Sequence, residues 1–283
     1  MRTTKATRDS VGLSNQAMDE GACIVSEEMA QYFLTVDGQK GTYVLEGAFA
    51  SSVRAPHVDR NRIFRARLST ESADEEIERL LQPFRQRALP VTWYVDSCSR
   101  PHDLATRLAS HGLELRYFWT GMLHSLADAT VSQPSTPELT VIEAVSERER
   151  EQWMHVVLDG FQLTEFRDLE LVLTETGLLS GRWHRLMALQ GDTPVGGALL
   201  FAGDGVAGLH WLGVPQMFRK RGAGVLLSQE ALVRAARMGY SHLALQANPE
   251  VVQLYTRLGF DRVGDIAVFD WRPGINALTV EPD

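Results

Sequence analysis

The sequence predicts a mixed α/β protein made of two tandem domains, and three observations predict it. The chain has 283 residues, 44% of them hydrophobic, enough for two cores of ordinary size. From Tyr32 onward, strand-like and helix-like segments follow one another with short turns between them. One segment order also occurs twice: LATRL at Leu104–Leu108 is matched by LYTRL at Leu254–Leu258, 150 residues further on. At the same offset Val91–Val95 stands against Ser241–Leu245, and Ser69–Asp74 against Arg219–Gly224, which points to an internal duplication.

Residues 1–20 are polar, mixed in charge and aperiodic, and read as a mobile leader. YFLTV from Tyr32, the turn DGQKG and then TYVLEGAFA read as a β-hairpin by turn chemistry and β-branched content. A strand over Ile63–Leu68 precedes a helix over about Ala73–Arg87, whose acidic first turn suits the helix dipole. A strand over Val91–Asp96, a helix from about Pro101 to Ser110 and a strand through Leu113–Leu126 complete a first domain over 21–127. The small, polar, proline-punctuated residues 128–138 read as an exposed linker. In the second domain, 139–283, a strand over Thr140–Val145 leads to a helix from about Arg148 to Gly160. An acidic and aromatic segment, a second helix to Leu179 and the hairpin HRLMALQ-GDTP-VGGALLF follow.

Gly205–Phe260 carries the chemistry. An apolar strand, Val206–Val214, runs into Arg219-Lys220-Arg221-Gly222-Ala223-Gly224, and that turn opens a helix. Glycines that let backbone N–H groups face an anion, a helix N-terminus and three cations together make a phosphate site. The plainer reading is a glycine-capped turn. A dinucleotide fingerprint fails, because Leu227 stands where a third glycine is needed and Ser241–Ala247 has no Asp or Glu for a ribose. A Walker turn fails for want of a Gly-Lys-Ser/Thr ending. Asn248-Pro249 then ends a strand, as a cap followed by proline or as a ligand contact. Tyr255 shares a helix stripe with Val251, Leu254 and Leu258, the pattern of a core residue.

The net charge of −8 argues against a nucleic-acid surface and fits a cationic or amine substrate better. No apolar run is long enough to span a bilayer, and the first residues lack the apolar core of a signal peptide, so the expected location is the cytoplasm. Cys23 and Cys98 lie far apart without C-x-x-C spacing or a His cluster; free thiols are expected, with no disulfide framework and no metal site.

The R-x-x-G-x-G turn, the strand after it, Asn248, Tyr255 and Gly259-Phe260, in that order and spacing, resemble the signature of the GNAT superfamily of acyl-CoA N-acyltransferases. The resemblance implies a tandem GNAT fold with acetyl-CoA, or another short acyl-CoA, as the acyl donor. It implies that backbone groups of Leu212, Gly213 and Val214 pair with the pantetheine arm and that an N–H there stabilises the oxyanion. Arg219, Lys220, Arg221, Gly222, Ala223 and Gly224 would hold the pyrophosphate, and Asn248 would touch the CoA arm. Tyr255 matches the tyrosine that protonates the departing thiolate. His210 matches a base of the arylalkylamine acetyltransferases, although a lone strand histidine is also an ordinary structural residue. Glu165 and Asp168 are the alternative bases or substrate anchors, or simply a solvated helix face.

In the first half STESAD replaces RKRGAG, Ala105 stands for Tyr255 and Cys98 for Asn248. A carboxylate cluster at that helix start repels a pyrophosphate, so the first half is expected to be a degenerate domain that packs against the second and walls the acceptor cleft. The expected activity is acetyl transfer to a primary amine of a small molecule or peptide, by a monomer or homodimer. The alternatives are a non-catalytic acyl-CoA-binding or protein-interaction module and, among enzymes, a transferase using charged tRNA.

Overall fold

Two halves with matching element order share a single sheet. A computed structural model of the chain describes residues 15–37, 42–45, 48–52, 61–127, 138–163 and 181–274. The first half runs α1 (Asn15–Asp37), β1 (Thr42–Leu45), β2 (Ala48–Ser52), β3 (Asn61–Phe64), α2 (Ala73–Arg85), β4 (Val91–Val95), α3 (Leu104–Ser110) and β5 (Glu114–Ser125). The second runs β6 (Thr140–Glu143), α4 (Glu147–Gly160), β7 (Trp183–Gln190), β8 (Thr193–Ala202) and β9 (Ala207–Gly213). It continues with α5 (Ala223–Arg237), β10 (His242–Ala247), α6 (Val252–Arg257) and β11 (Asp261–Trp271). Helices α2 and α5 begin at Ala73 and Ala223, in register with the offset read from the sequence.

The eleven strands lie in the order β1-β2-β3-β4-β11-β5-β10-β9-β8-β7-β6. The halves exchange their last strands. β11 inserts beside β4, with Phe269 opposite Trp93, while β5 inserts beside β10, with Leu123 opposite Ala244. The two exchanged strands pair antiparallel with each other, from Asp261↔Leu123 to Asp270↔Glu114. Reciprocal exchange leaves neither half with an open edge at the centre of the sheet.

Strand alternation sorts the helices onto two faces. Phe64, Tyr94, Leu199 and Phe201 point into a core with α1 (Val25, Met29, Phe33) and α4 (Trp153, Val157), a core to which both halves contribute. Their strand neighbours Ile63 and Trp93 face α2 and α3, and Leu200 faces α5 and α6, on the other side. Each large side chain buried this way contributes roughly 1.5–3 kcal/mol.

Three expectations are corrected. Tyr32–Val36 belongs to α1, not to a strand: Val25, Met29, Tyr32, Phe33 and Val36 are all buried, a stripe at helical spacing. The hairpin is instead β1 with β2, pairing Thr42 with Ser51 and Leu45 with Ala48. Residues 15–20 of the expected leader also belong to α1. Third, Cys23 and Cys98 form a disulfide, because α1 lies across the sheet and brings their Cα atoms to 5.9 Å. Most of the linker, and the helix expected to end at Leu179, lie outside the described residues.

Candidate active site

β9 and β10 are hydrogen-bonded only at their beginnings, Ala207↔Leu243 and Gly208↔Ala244. Beyond those pairs each strand keeps its outer partner, β9 with β8 and β10 with β5, so a cleft opens between them. Trp211 stands in the left-handed region at φ 51°, and the β8–β9 register shifts between Gly197 and Leu199. This bulge re-aims the backbone of Trp211–Gly213 at the cleft mouth.

At the cleft end of β9, a short 3-10 turn, Gln216–Phe218, leads into the basic segment. Gly222 caps α5 at φ 91°, a conformation glycine adopts without strain, and among the described residues no side chain caps the first turn. The leading amides of α5 therefore remain free of side-chain acceptors. A Cβ on Gly224 would stand in ordinary contact with Leu212, at 3.6 Å. The three cations divide. Arg219 donates from Nε to the Val214 carbonyl (3.0 Å) and from Nη2 to the Gly160 carbonyl (2.8 Å), clasping the end of α4 to the end of β9. Lys220 and Arg221 are exposed, and Arg221, Phe218 and Ala223 border a cavity of about 300 Å³. Uncapped amides beside two exposed cations suit a pyrophosphate.

On β9 itself, His210 is held by a residue that sequence reasoning missed. Its Nε2 lies 2.6 Å from Oε1 of Glu28, a fully buried carboxylate on α1. Gln246 of β10 donates to the other carboxylate oxygen at 3.1 Å. Tyr32, also on α1, stacks on the imidazole at 3.7 Å between ring centres and accepts a hydrogen bond from the Trp211 indole at its hydroxyl. The signal was present: Glu28 falls within the Val25–Met29–Tyr32 stripe, and a charge on a buried helix face demands a partner.

The first half repeats the splay and then closes it. β3 and β4 pair only at Arg62↔Thr92 and Ile63↔Trp93. The chain after β4 returns into the gap, with Arg100 N–H donating to the Ala66 carbonyl (2.9 Å) and Leu68 N–H to the Arg100 carbonyl (3.0 Å). At the start of α2 stand Asp74, Glu75 and Glu76, and Asp74 is paired with Arg107 and His111. The His111 hydrogen bond holds the Asp74 carboxyl below its ordinary pKa, so this helix start stays anionic.

Residues 142–260 match the model of the acetyltransferase (GNAT) family. They form a GNAT-family domain. Among solved structures, a GCN5-related N-acetyltransferase from Kribbella flavida is similar at TM-score 0.72 and 16% identity, over 89% of this chain and 96% of that one. A GCN5-related N-acetyltransferase from Sphaerobacter thermophilus is similar at TM-score 0.61 and 21% identity, over 81% and 78%. A tandem GNAT protein from the clavulanic acid biosynthesis pathway is similar at TM-score 0.58 and 14% identity, over 94% and 98%. At these identities the likeness is one of fold, and it extends across both halves. No curated protein matches the chain.

In the GNAT domain Tyr255 sits on α6, 6% exposed, in the core that α5 and α6 share. Burial raises the pKa of its phenol, against the smaller effect of a hydrogen bond with Ser228. Ser228 in turn donates to the Gly224 carbonyl, linking the phenol to the glycine turn. Tyr255 and His210 thus lie on opposite faces of the splayed sheet. Asn248 makes no side-chain cap; its Oδ1 accepts from the Trp119 indole at 3.0 Å, a contact between the halves. Glu165 and Asp168 lie outside the described residues. Among the described residues there is no group of three potential metal ligands, and no helix is long and apolar enough to cross a membrane.

Proposed function

We propose that the chain is an acyl-CoA-dependent N-acyltransferase that acetylates, or acylates with another short group, a primary amine of a small molecule or peptide. The carrying observation is the GNAT-family cleft between β9 and β10, open in the second half and closed by Arg100 in the first. The chain divides in this reading into a leader, a first GNAT-like half that has lost donor binding, a linker and a catalytic half. Bound in that cleft, acetyl-CoA would supply the activated acyl group as a thioester.

The amides of Gly222, Ala223 and Gly224, with Lys220 and Arg221, hold the pyrophosphate, and Arg219 keeps the end of β9 where it must stand. Backbone groups of Leu212–Val214 would align the pantetheine arm, and an N–H there would stabilise the oxyanion. His210 takes a proton from the attacking amine. Tyr255, kept protonated by burial, holds the proton that the thiolate receives. Asn248 borders the same mouth, and Glu165 and Asp168 remain candidate acceptor anchors. The strand exchange joins within one chain two halves that could otherwise pair between copies, consistent with a monomer or homodimer. We place the protein in the cytoplasm; the Cys23–Cys98 disulfide is the observation that counts against that placement, since such bonds persist in oxidising compartments.

The test is release of the CoA thiol from acetyl-CoA across a panel of arylalkylamines, polyamines, amino acids and peptide N-termini. Amine-dependent release that falls in Tyr255→Phe supports the reading. Binding of acetyl-CoA without release on any amine favours a non-catalytic module.

A further inference from the structure

We propose that Glu28 is the positioning residue of His210, so that the half without a donor site completes the active site of the half that has one. The inference rests on the acyltransferase reading only for the step it serves; the geometry stands without it.

Glu28 is fully buried, and a buried carboxylate is tolerated only when its oxygens are satisfied. Both are: Oε1 by His210 Nε2 and Oε2 by the Gln246 amide. An ionised carboxylate only accepts, so the proton of this bond belongs to Nε2 and the Nδ1 lone pair is left over. Nδ1 has no protein partner among the described residues and is not among the atoms sealed from solvent. Stacking on Tyr32 fixes the plane of the ring. The imidazole is therefore held in one tautomer and in one plane, with its basic nitrogen left unpaired among the described residues, which is what a general base requires.

Glu28 is held from both halves. Toward the first, the Cys23–Cys98 bond and the Ser26–Asp96 hydrogen bond pin α1 to the loop after β4. Toward the second, the Gln31 amide exchanges two hydrogen bonds with the Asp204 backbone, at 2.6 and 3.2 Å. On β9, Gly208 leaves the space that the carboxylate occupies: a Cβ there would collide with Glu28. A hydrogen bond kept merely for stability has no need of a glycine beneath it and a free nitrogen beyond it.

The experiment is NMR of the full chain labelled with ¹⁵N-histidine, the His210 signals being assigned by their loss in His210→Gln. In the neutral ring the proton should sit on Nε2, as a downfield, slowly exchanging resonance. In Glu28→Gln that proton should exchange about tenfold faster, the step from a charged to a neutral acceptor. A proton on Nδ1 in the unmodified protein overturns the proposal, and this arm needs no variant to fold. An unchanged resonance in Glu28→Gln overturns it as well. Calorimetry with acetyl-CoA on the same samples should give a Kd within about twofold between the two proteins, as expected for a residue acting on the reaction step alone. A large loss of affinity in Glu28→Gln would make Glu28 structural and overturn the positioning role. If the unmodified protein does not bind acetyl-CoA, the acyltransferase reading fails while the proton position still decides the geometry.

Discussion

Gly208→Ala is the perturbation that reports most sharply on how the halves meet. The new Cβ would stand 2.5 Å from Glu28 Cδ and 2.7 Å from His210 Nε2, against roughly 3.5–4.0 Å for carbon atoms in contact. The Glu28 carboxylate is tied by two hydrogen bonds on a helix pinned at both ends, so it has no cheap rotamer to retreat to. Relief requires breaking the Glu28–His210 bond, worth about 1.5–3 kcal/mol for a charged partner, in line with the usual cost of overpacking a core. Urea unfolding should therefore show a loss of about 2 kcal/mol. In a Glu28→Ala background only the contact with His210 Nε2 remains, and Gly208→Ala should cost clearly less. A double-mutant cycle should return a coupling of about 1 kcal/mol or more, and additivity within about 0.5 kcal/mol would refute the packing of Glu28 over β9.

Tyr255→Phe should cut turnover by about 10²-fold or more while leaving acetyl-CoA affinity nearly unchanged, as steady-state kinetics and calorimetry together would read. Because burial raises the Tyr255 pKa, the folded chain keeps a proton that the unfolded chain loses above about pH 10. Stability should then fall as pH rises past 10, less steeply in Tyr255→Phe, which alkaline denaturation measures. Arg219→Ala removes bonds to Val214 and Gly160 and should lower the unfolding midpoint, whereas Lys220→Ala should leave the midpoint in place and weaken acetyl-CoA binding in a salt-dependent way. Reduction of the Cys23–Cys98 bond, whose ends are 75 residues apart, should cost about 2–4 kcal/mol in the same urea assay.

Much of the fold was legible because its signals are local. The glycine turn, the helix it opens and the β7–β8 hairpin each declare themselves within a dozen residues, and the duplication showed in helices that begin at matching positions. The strand exchange was not legible: β5 and β11 carry the same alternation whichever half they pair with, and register between distant strands leaves no local mark. YFLTV misled because it is aromatic, partly β-branched and followed by a glycine turn, the surface marks of a strand, while the stripe that makes it helical begins at Val25. The same misreading hid the disulfide and Glu28, since both depend on α1 crossing the sheet. In the site, His210 and Tyr255 are candidates through the resemblance to the GNAT signature; by periodicity alone Tyr255 reads as a core residue. Their division between two faces of a splayed sheet is a tertiary fact, as is the clasping role of Arg219.

The first measurement to make is a calorimetric titration of the purified chain with acetyl-CoA. With the second cleft open and the first closed by Arg100 behind an anionic helix start, one site per chain is expected. Two sites would contradict the closure of the first half, and no binding would contradict the acyltransferase reading itself.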